Sequence, residues 1–237
     1  MQKTPFRYRC DLRSFSVECD ERILEAARAK RIDPRRFETR LKNMEQASAL
    51  EYPIHLELEG GLLKTIQIGE QGLYWENNNL KGKIGDYKEI AAYFAIVNFW
   101  INGTILYMKQ ETNFRFYYFP SMNGGYMQHD VSLEVNPDFV AYARAQQIDE
   151  EAYERKAKEV LTEVFGEKTA SYYIRYNRIY SWNNGLMTNL LVPGDRAGLD
   201  IDWSDKLHPH NMDNPAQAAA VFLLSTYWLE DLESRLQ

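Results

Sequence analysis

Phe15-Ser16-Val17-Glu18-Cys19-Asp20 is echoed 116 residues later by Val131-Ser132-Leu133-Glu134-Val135-Asn136. The echo continues without a gap. Ala27-Arg28-Ala29 faces Ala143-Arg144-Ala145, and Ile32-Asp33 faces Ile148-Asp149. Phe37-Glu38 faces Tyr153-Glu154, and Lys42 faces Lys158. Nine of the 28 pairs are identical, which reads as an internal repeat. Further matches follow with insertions: Gly61-Leu62-Leu63 with Gly185-Leu186-Met187, Ala91-Ala92-Tyr93-Phe94 with Ala219-Ala220-Val221-Phe222, and Phe99-Trp100 with Tyr227-Trp228.

Both copies predict the same elements. Ser14–Cys19 and Val131–Val135 alternate as short strands. Asp20 and Asn136 then stand where a short side-chain oxygen can cap a helix N-terminus. Helices run to about Arg31 and Gln147. Asp33 and Asp149 cap second helices, with Pro34 at the favoured first position of one of them. Leu50, Tyr52, Ile54, Leu56 and Leu58 alternate with polar residues toward the turn Gly60-Gly61. In the second copy Tyr172, Ile174 and Tyr176 alternate toward Asn183-Asn184-Gly185. Asp86–Trp100 and Asp213–Leu232 read as closing helices, and Thr104–Met108 with Asn113–Phe119 as a hairpin around residues 110–112. The expected fold is therefore α+β: a tandem duplication of a βααββα-like unit, with an additional central hairpin, packed as one pseudo-two-fold body. The expected limits are 1–102 for the first unit, 103–122 for the hairpin and 123–237 for the second unit.

That unit order is similar to a type I KH domain, a single-stranded nucleic-acid module. KH domains clamp the nucleic-acid backbone with a GXXG loop between their first two helices. The junctions here read Lys30-Arg31-Ile32-Asp33 and Gln146-Gln147-Ile148-Asp149, without glycine, so the resemblance is one of topology alone.

At 237 residues, 45% hydrophobic and 26% charged, the composition is that of a folded protein rather than a disordered one. Its 16 Tyr, 11 Phe and 5 Trp fall mostly in runs that read as core. No basic-then-apolar segment opens the sequence, and the apolar run Ile90–Ile101 is short for a bilayer and holds Asn98. Cys10 and Cys19 form no CxxC pair. A cytoplasmic protein with no membrane partner, monomeric or homodimeric, is expected. The net charge of −6 hides a basic start: residues 1–45 carry a balance of +4. Acidity over the rest argues against broad nucleic-acid binding.

Three candidate sites follow. Trp75, Asn77, Asn78, Trp182, Asn183 and Asn184 pair aromatic faces with amides, as ligand pockets do. Arg28, Arg31, Arg35, Arg36 and Arg40 form a basic patch able to meet phosphates or an acidic protein. Asp200, Asp202, His208 and His210 are residue types that ligate divalent cations, within a loop whose last carboxylate, Asp213, is expected to cap the closing helix. No GxSxG elbow, phosphate loop, dinucleotide turn or HExxH helix is present. The sequence therefore favours a non-enzymatic intracellular binding protein, for a protein partner or small ligand, acting through a cleft or paired surface between its halves. An inhibitor or immunity-type role is one form of it, and no cofactor is expected. Two alternatives stand beside it: a metal-dependent hydrolase or nuclease on the 200–213 loop, and a nucleic-acid module on the basic helices 28–42.

Overall fold

The computed structural model describes residues 3–48, 50–123, 126–176, 179–194, 199–200 and 210–236. The chain opens with the hairpin β1 (Phe6–Asp11) and β2 (Ser14–Cys19), then α1 (Glu21–Lys30) and α2 (Pro34–Ser48). Four strands follow, β3 (Ile54–Glu59), β4 (Leu62–Ile68), β5 (Gln71–Glu76) and β6 (Asn79–Lys83), before the long helix α3 (Tyr87–Met108). These six strands form one antiparallel sheet in the order β1-β2-β6-β5-β4-β3.

A second run begins with the hairpin β7 (Phe114–Asn123) and β8 (Tyr126–Val135), followed by α4 (Pro137–Ala145), α5 (Glu150–Phe165) and α6 (Glu167–Tyr176). Then come β9 (Tyr180–Asn183), β10 (Leu186–Leu190), β11 (Leu199–Asp200), β12 (His210–Met212) and α7 (Pro215–Ser234). These strands make two antiparallel sheets, β12-β8-β7 and β11-β10-β9. The protein is a mixed α+β protein, as expected.

Local chemistry sets the element ends. Asp20 accepts from the Arg22 and Ile23 amides, Asn136 from Asp138 N–H and Asp149 from Ala152 N–H, so the caps read from the sequence hold. Asp33 accepts from Arg35 N–H at 3.0 Å. The last helix differs: Asn214, not Asp213, is its cap, in a reciprocal capping box with Gln217.

Other expectations are corrected. Thr104–Met108 is the last turn and a half of α3, not a strand, so no hairpin forms around residues 110–112 and β7 pairs with β8 instead. Its β-favouring residues are overruled because Thr104 and Ile105 are buried on the helix. Residues 172–176 are helical too, placing Tyr172 and Tyr176 on one face with rings 5.3 Å apart. Three alternating residues do not separate a strand from such a helix. The stretch 71–83 forms the β5–β6 hairpin. Each run therefore holds more strands than the order shared with KH domains.

α3 and α7 pack on each other; α3 also covers β7, and α7 covers β1. Where the helices meet, the Phe94 and Phe222 rings stack with centroids 3.5 Å apart. Tyr8 of β1 stands edge-on to Phe94 at 5.5 Å and to Phe222 at 5.6 Å. Phe116 of β7 does the same, at 5.4 and 5.7 Å. α3 is the one helix among the described residues long and apolar enough to cross a membrane, and 72% of that window is buried inside the protein. A buried carboxylate closes the ends of the chain: Glu233 accepts from the Thr4 hydroxyl at 2.5 Å and the Asn113 amide at 2.9 Å.

Phe222→Ala is expected to cost about 3–5 kcal/mol, the usual loss for a fully buried aromatic ring. The measurement is urea unfolding followed by fluorescence and by circular dichroism. Both probes should shift together as one transition, because the ring joins elements from both ends of the chain.

Candidate ligand-binding cleft

The turn between α1 and α2 is made by Arg31, which ends α1 in the left-handed region at φ 49°. This reversal, held by the Asp33 cap, brings α2 back along α3. On α2, Arg36, Phe37 and Arg40 share one face at helical spacing. On α3 the facing residues are Asn98, Phe99, Asn102, Gly103, Leu106 and Tyr107. Tyr117 and Tyr118 of β7 close the far side. The result is a cleft of about 790 Å³, within the range of small-molecule sites.

The wall is apolar and the rim cationic. Phe37 and Phe99 meet edge to face at 5.3 Å, and the Arg40 guanidinium lies 5.5 Å above the Phe99 ring. Arg40 also donates to the Tyr118 carbonyl oxygen at 2.6 Å, which fixes its head at the wall. Burial lowers its pKa, and a guanidinium keeps its charge nonetheless. Lys30 donates to the Gly103 carbonyl oxygen at 2.5 Å. A Cβ at Gly103 would stand 2.7 Å from that ammonium, so glycine here makes room for it. Burial, then the neighbouring Arg36, pull the Lys30 pKa down. Leu106 and Tyr107 are 62% and 51% exposed at the mouth.

Polar groups at the base of the wall bond to neighbouring strands. Asn98 accepts from the Tyr8 hydroxyl at 3.3 Å, and Asn102 donates to the Phe116 carbonyl oxygen at 2.6 Å. The Tyr118 hydroxyl lies 2.8 Å from His129 Nδ1. Burial lowers the His129 pKa to about 4 and raises that of Tyr118, so both are neutral near pH 7 and one hydrogen bond joins them.

Of the basic patch read from the sequence, Arg31, Arg36 and Arg40 line this cleft. Arg28 instead pairs with Glu21 at 3.0 Å, and Arg35 is exposed outside the lining. The Trp and Asn candidates are not brought together: they stand on different sheets, at the β5–β6 and β9–β10 hairpins. Trp75 packs edge-on to Trp100 at 5.9 Å, and Trp182 to Tyr153 at 5.0 Å, both within aromatic packing. Asn77, Asn78 and Asn184 have φ values of 47°, 61° and 50°, so tight hairpin turns account for them. Asn183 is exposed beside the second turn. Among the metal candidates, Asp202 and His208 lie outside the described residues. Asp200 and His210 belong to strands of two different sheets. Among the described residues no group of three or more such side chains could hold a metal ion.

The sequence reading missed the α3 contribution. Its signal was present: Asn98 and Asn102, four residues apart, are polar positions in the most apolar helix.

A second recess, about 640 Å³, lies between β1–β2 and α7, where Arg7, Arg9 and Cys10 face Tyr227, Glu230 and Asp231. Burial raises the Glu230 pKa to about 7, against the opposing pull of Arg7 and Arg9. Asp231 pairs with Arg235 at 2.6 Å.

Comparisons with protein-family models, with curated proteins and with solved structures found no match.

Because His129 is depressed in the fold, the unfolded chain binds the extra proton between about pH 4 and 6.5. The His129 contribution is therefore complete above about pH 6.5 and is lost as pH falls toward 4. Comparison of the wild type with His129→Gln by urea unfolding should show a difference that changes by up to about 3 kcal/mol across this window and is flat above it.

Proposed function

We propose that this protein is a non-enzymatic binding protein, built by tandem duplication, that takes a small ligand in the cleft between α2, α3 and β7. The observation that carries the reading is the cleft itself. It has an apolar wall, a cationic rim, and walls drawn from both runs of the chain. Among the described residues its lining contains no Ser, Cys or His, and its one lysine, Lys30, is held by the Gly103 carbonyl oxygen. That supports binding over catalysis. The basic residues converge on a concave, partly apolar surface instead of an open stripe, which favours a small ligand over a nucleic-acid backbone.

Four observations support the duplication. The strand order β1-β2-β6-β5-β4-β3 has its counterpart in β7-β8-β12 with β11-β10-β9. Gly61 abuts the Ala27 carbonyl and Gly185 the Ala143 carbonyl; a Cβ would lie 2.0 and 2.5 Å from the respective oxygens. These are the pairs that the sequence repeat aligns. Phe94 and Phe222, also aligned, stack on each other. The helix–strand packing is reciprocal, α3 on β7 and α7 on β1. On this reading the units run from β1 to α3 and from β7 to α7, without a separate connecting hairpin.

A fragment screen read by amide and methyl NMR tests the binding site. Shift changes are expected to gather on α3 from Asn98 to Tyr107 and on the α1–α2 turn. Fragments that gather instead at Trp182 or at the α7 recess would refute the assignment.

A further inference from the structure

The cleft has two unfilled requirements that together describe a ligand. The first is charge. Arg31 and Arg36 line it without a carboxylate partner among the described residues, and Lys30 and Arg40 stand beside them, while Asp33 is the one acidic lining residue. In a chain with net charge −6, such a local excess is selective for an anion. Guanidinium groups pair best with planar or tetrahedral oxyanions.

The second is a hydrogen-bond acceptor. Asn102, 8% exposed, lines the cleft with its amide nitrogen committed to the Phe116 carbonyl oxygen. Turning the amide over would set two oxygens against each other, so this orientation is the one the surroundings allow. Its Oδ1 is buried without a partner. A buried acceptor left unpaired costs about 1–3 kcal/mol, which a donating ligand would recover.

The recess beside α7 offers a contrast. Where α3 has Asn102 and Gly103, the repeat aligns Glu230 and Asp231 on α7. Glu230, like Asn102, has a buried oxygen, Oε1, without a hydrogen-bond partner. The two recesses thus have similar places in the fold and opposed chemistry at the equivalent helix position.

We propose that the ligand is an organic oxyanion with an apolar or aromatic body and an N–H or O–H donor, and that the chain binds one copy, at the α3 cleft and not beside α7. The oxyanion meets Arg31 and Arg36, the body packs on Phe37 and Phe99, and the donor satisfies Asn102 Oδ1. In the second recess Asp11, Glu230 and Asp231 stand against Arg7 and Arg9, so no excess of positive charge is left for the same ligand. This rests on the cleft being the binding site.

The test uses two probes of one shape. 8-Anilinonaphthalene-1-sulfonate carries a sulfonate, an aromatic body and an N–H; N-phenyl-1-naphthylamine lacks only the sulfonate. Titrations of the full chain by calorimetry and fluorescence should show the sulfonate binding at a stoichiometry of one. It should bind about tenfold or more tighter than the neutral amine, the increment of a charge-assisted pair. Arg36→Ala, at an exposed site, should remove most of that preference, whereas Arg28→Ala should leave it intact. Asn102→Leu should weaken both probes equally; because it also removes the bond to Phe116, its melting curve is recorded alongside. Equal binding of both probes with NMR shifts on α3 overturns the anion class and leaves the cleft reading standing. A second sulfonate site in the wild-type chain, with shifts beside α7, overturns the single-copy claim. Shifts confined to other surfaces, for these probes and for fragments alike, overturn the cleft reading with it.

Discussion

The stack of Phe94 on Phe222 is the contact on which the rest of the structure depends. Each ring comes from a long apolar helix, and each helix serves a strand from the other run of the chain, α3 on β7 and α7 on β1. Tyr8 and Phe116 press edge-on against both rings. Aromatic edges meeting aromatic faces give this centre directional preferences beyond simple burial. α3 packs on α7 and β7 as well as on α1, α2 and β4 of its own run, and α7 packs on α3 and β1 as well as on α5, β8 and β12. The two runs therefore form one body, with the ends of the chain joined through Glu233, Thr4 and Asn113.

The same crossing creates the cleft. Because α3 leans on β7, its outer face is left between that strand and α2, and the turn at Arg31 swings basic residues over the gap. Lys30 is fixed there by a backbone carbonyl oxygen rather than by a carboxylate, and Arg40 donates to another carbonyl oxygen. Such anchoring leaves the positive charge uncancelled. The region is thus positive within an acidic protein for a structural reason: carbonyl dipoles satisfy the hydrogen bonds without neutralising the charge.

How far this could be read in advance depended on the range of the forces involved. Asp20, Asn136 and Asp149 act through amides two or three residues away, so those helix starts were legible. The turn Gly60-Gly61 was legible because positive φ is a local demand. Thr104–Met108 was misread because its β-favouring side chains compete with burial that the local sequence does not reveal, and Tyr172–Tyr176 because three alternating residues fit a strand and a helix alike. Asn77, Asn78 and Asn184 suggested ligand contacts and instead serve turns. Phe99 and Asn102 were passed over, since in an apolar helix a polar residue's role depends on what lies opposite.

The amino-acid sequence by itself determined the α+β class, most helix caps, the basic character of the α1–α2 region and an alignment between its two runs. Each of these follows from side-chain type and short spacings along the chain. Only the tertiary structure decided that Arg31, Arg36 and Arg40 face a cavity while Arg28 is held by Glu21. It alone placed Asn102 at the wall with an unpaired oxygen, and set Glu230 in the other recess. The physical reason is that a cleft is the space left between α2, α3 and β7, and that space is fixed by how the two helices cross at Phe94 and Phe222.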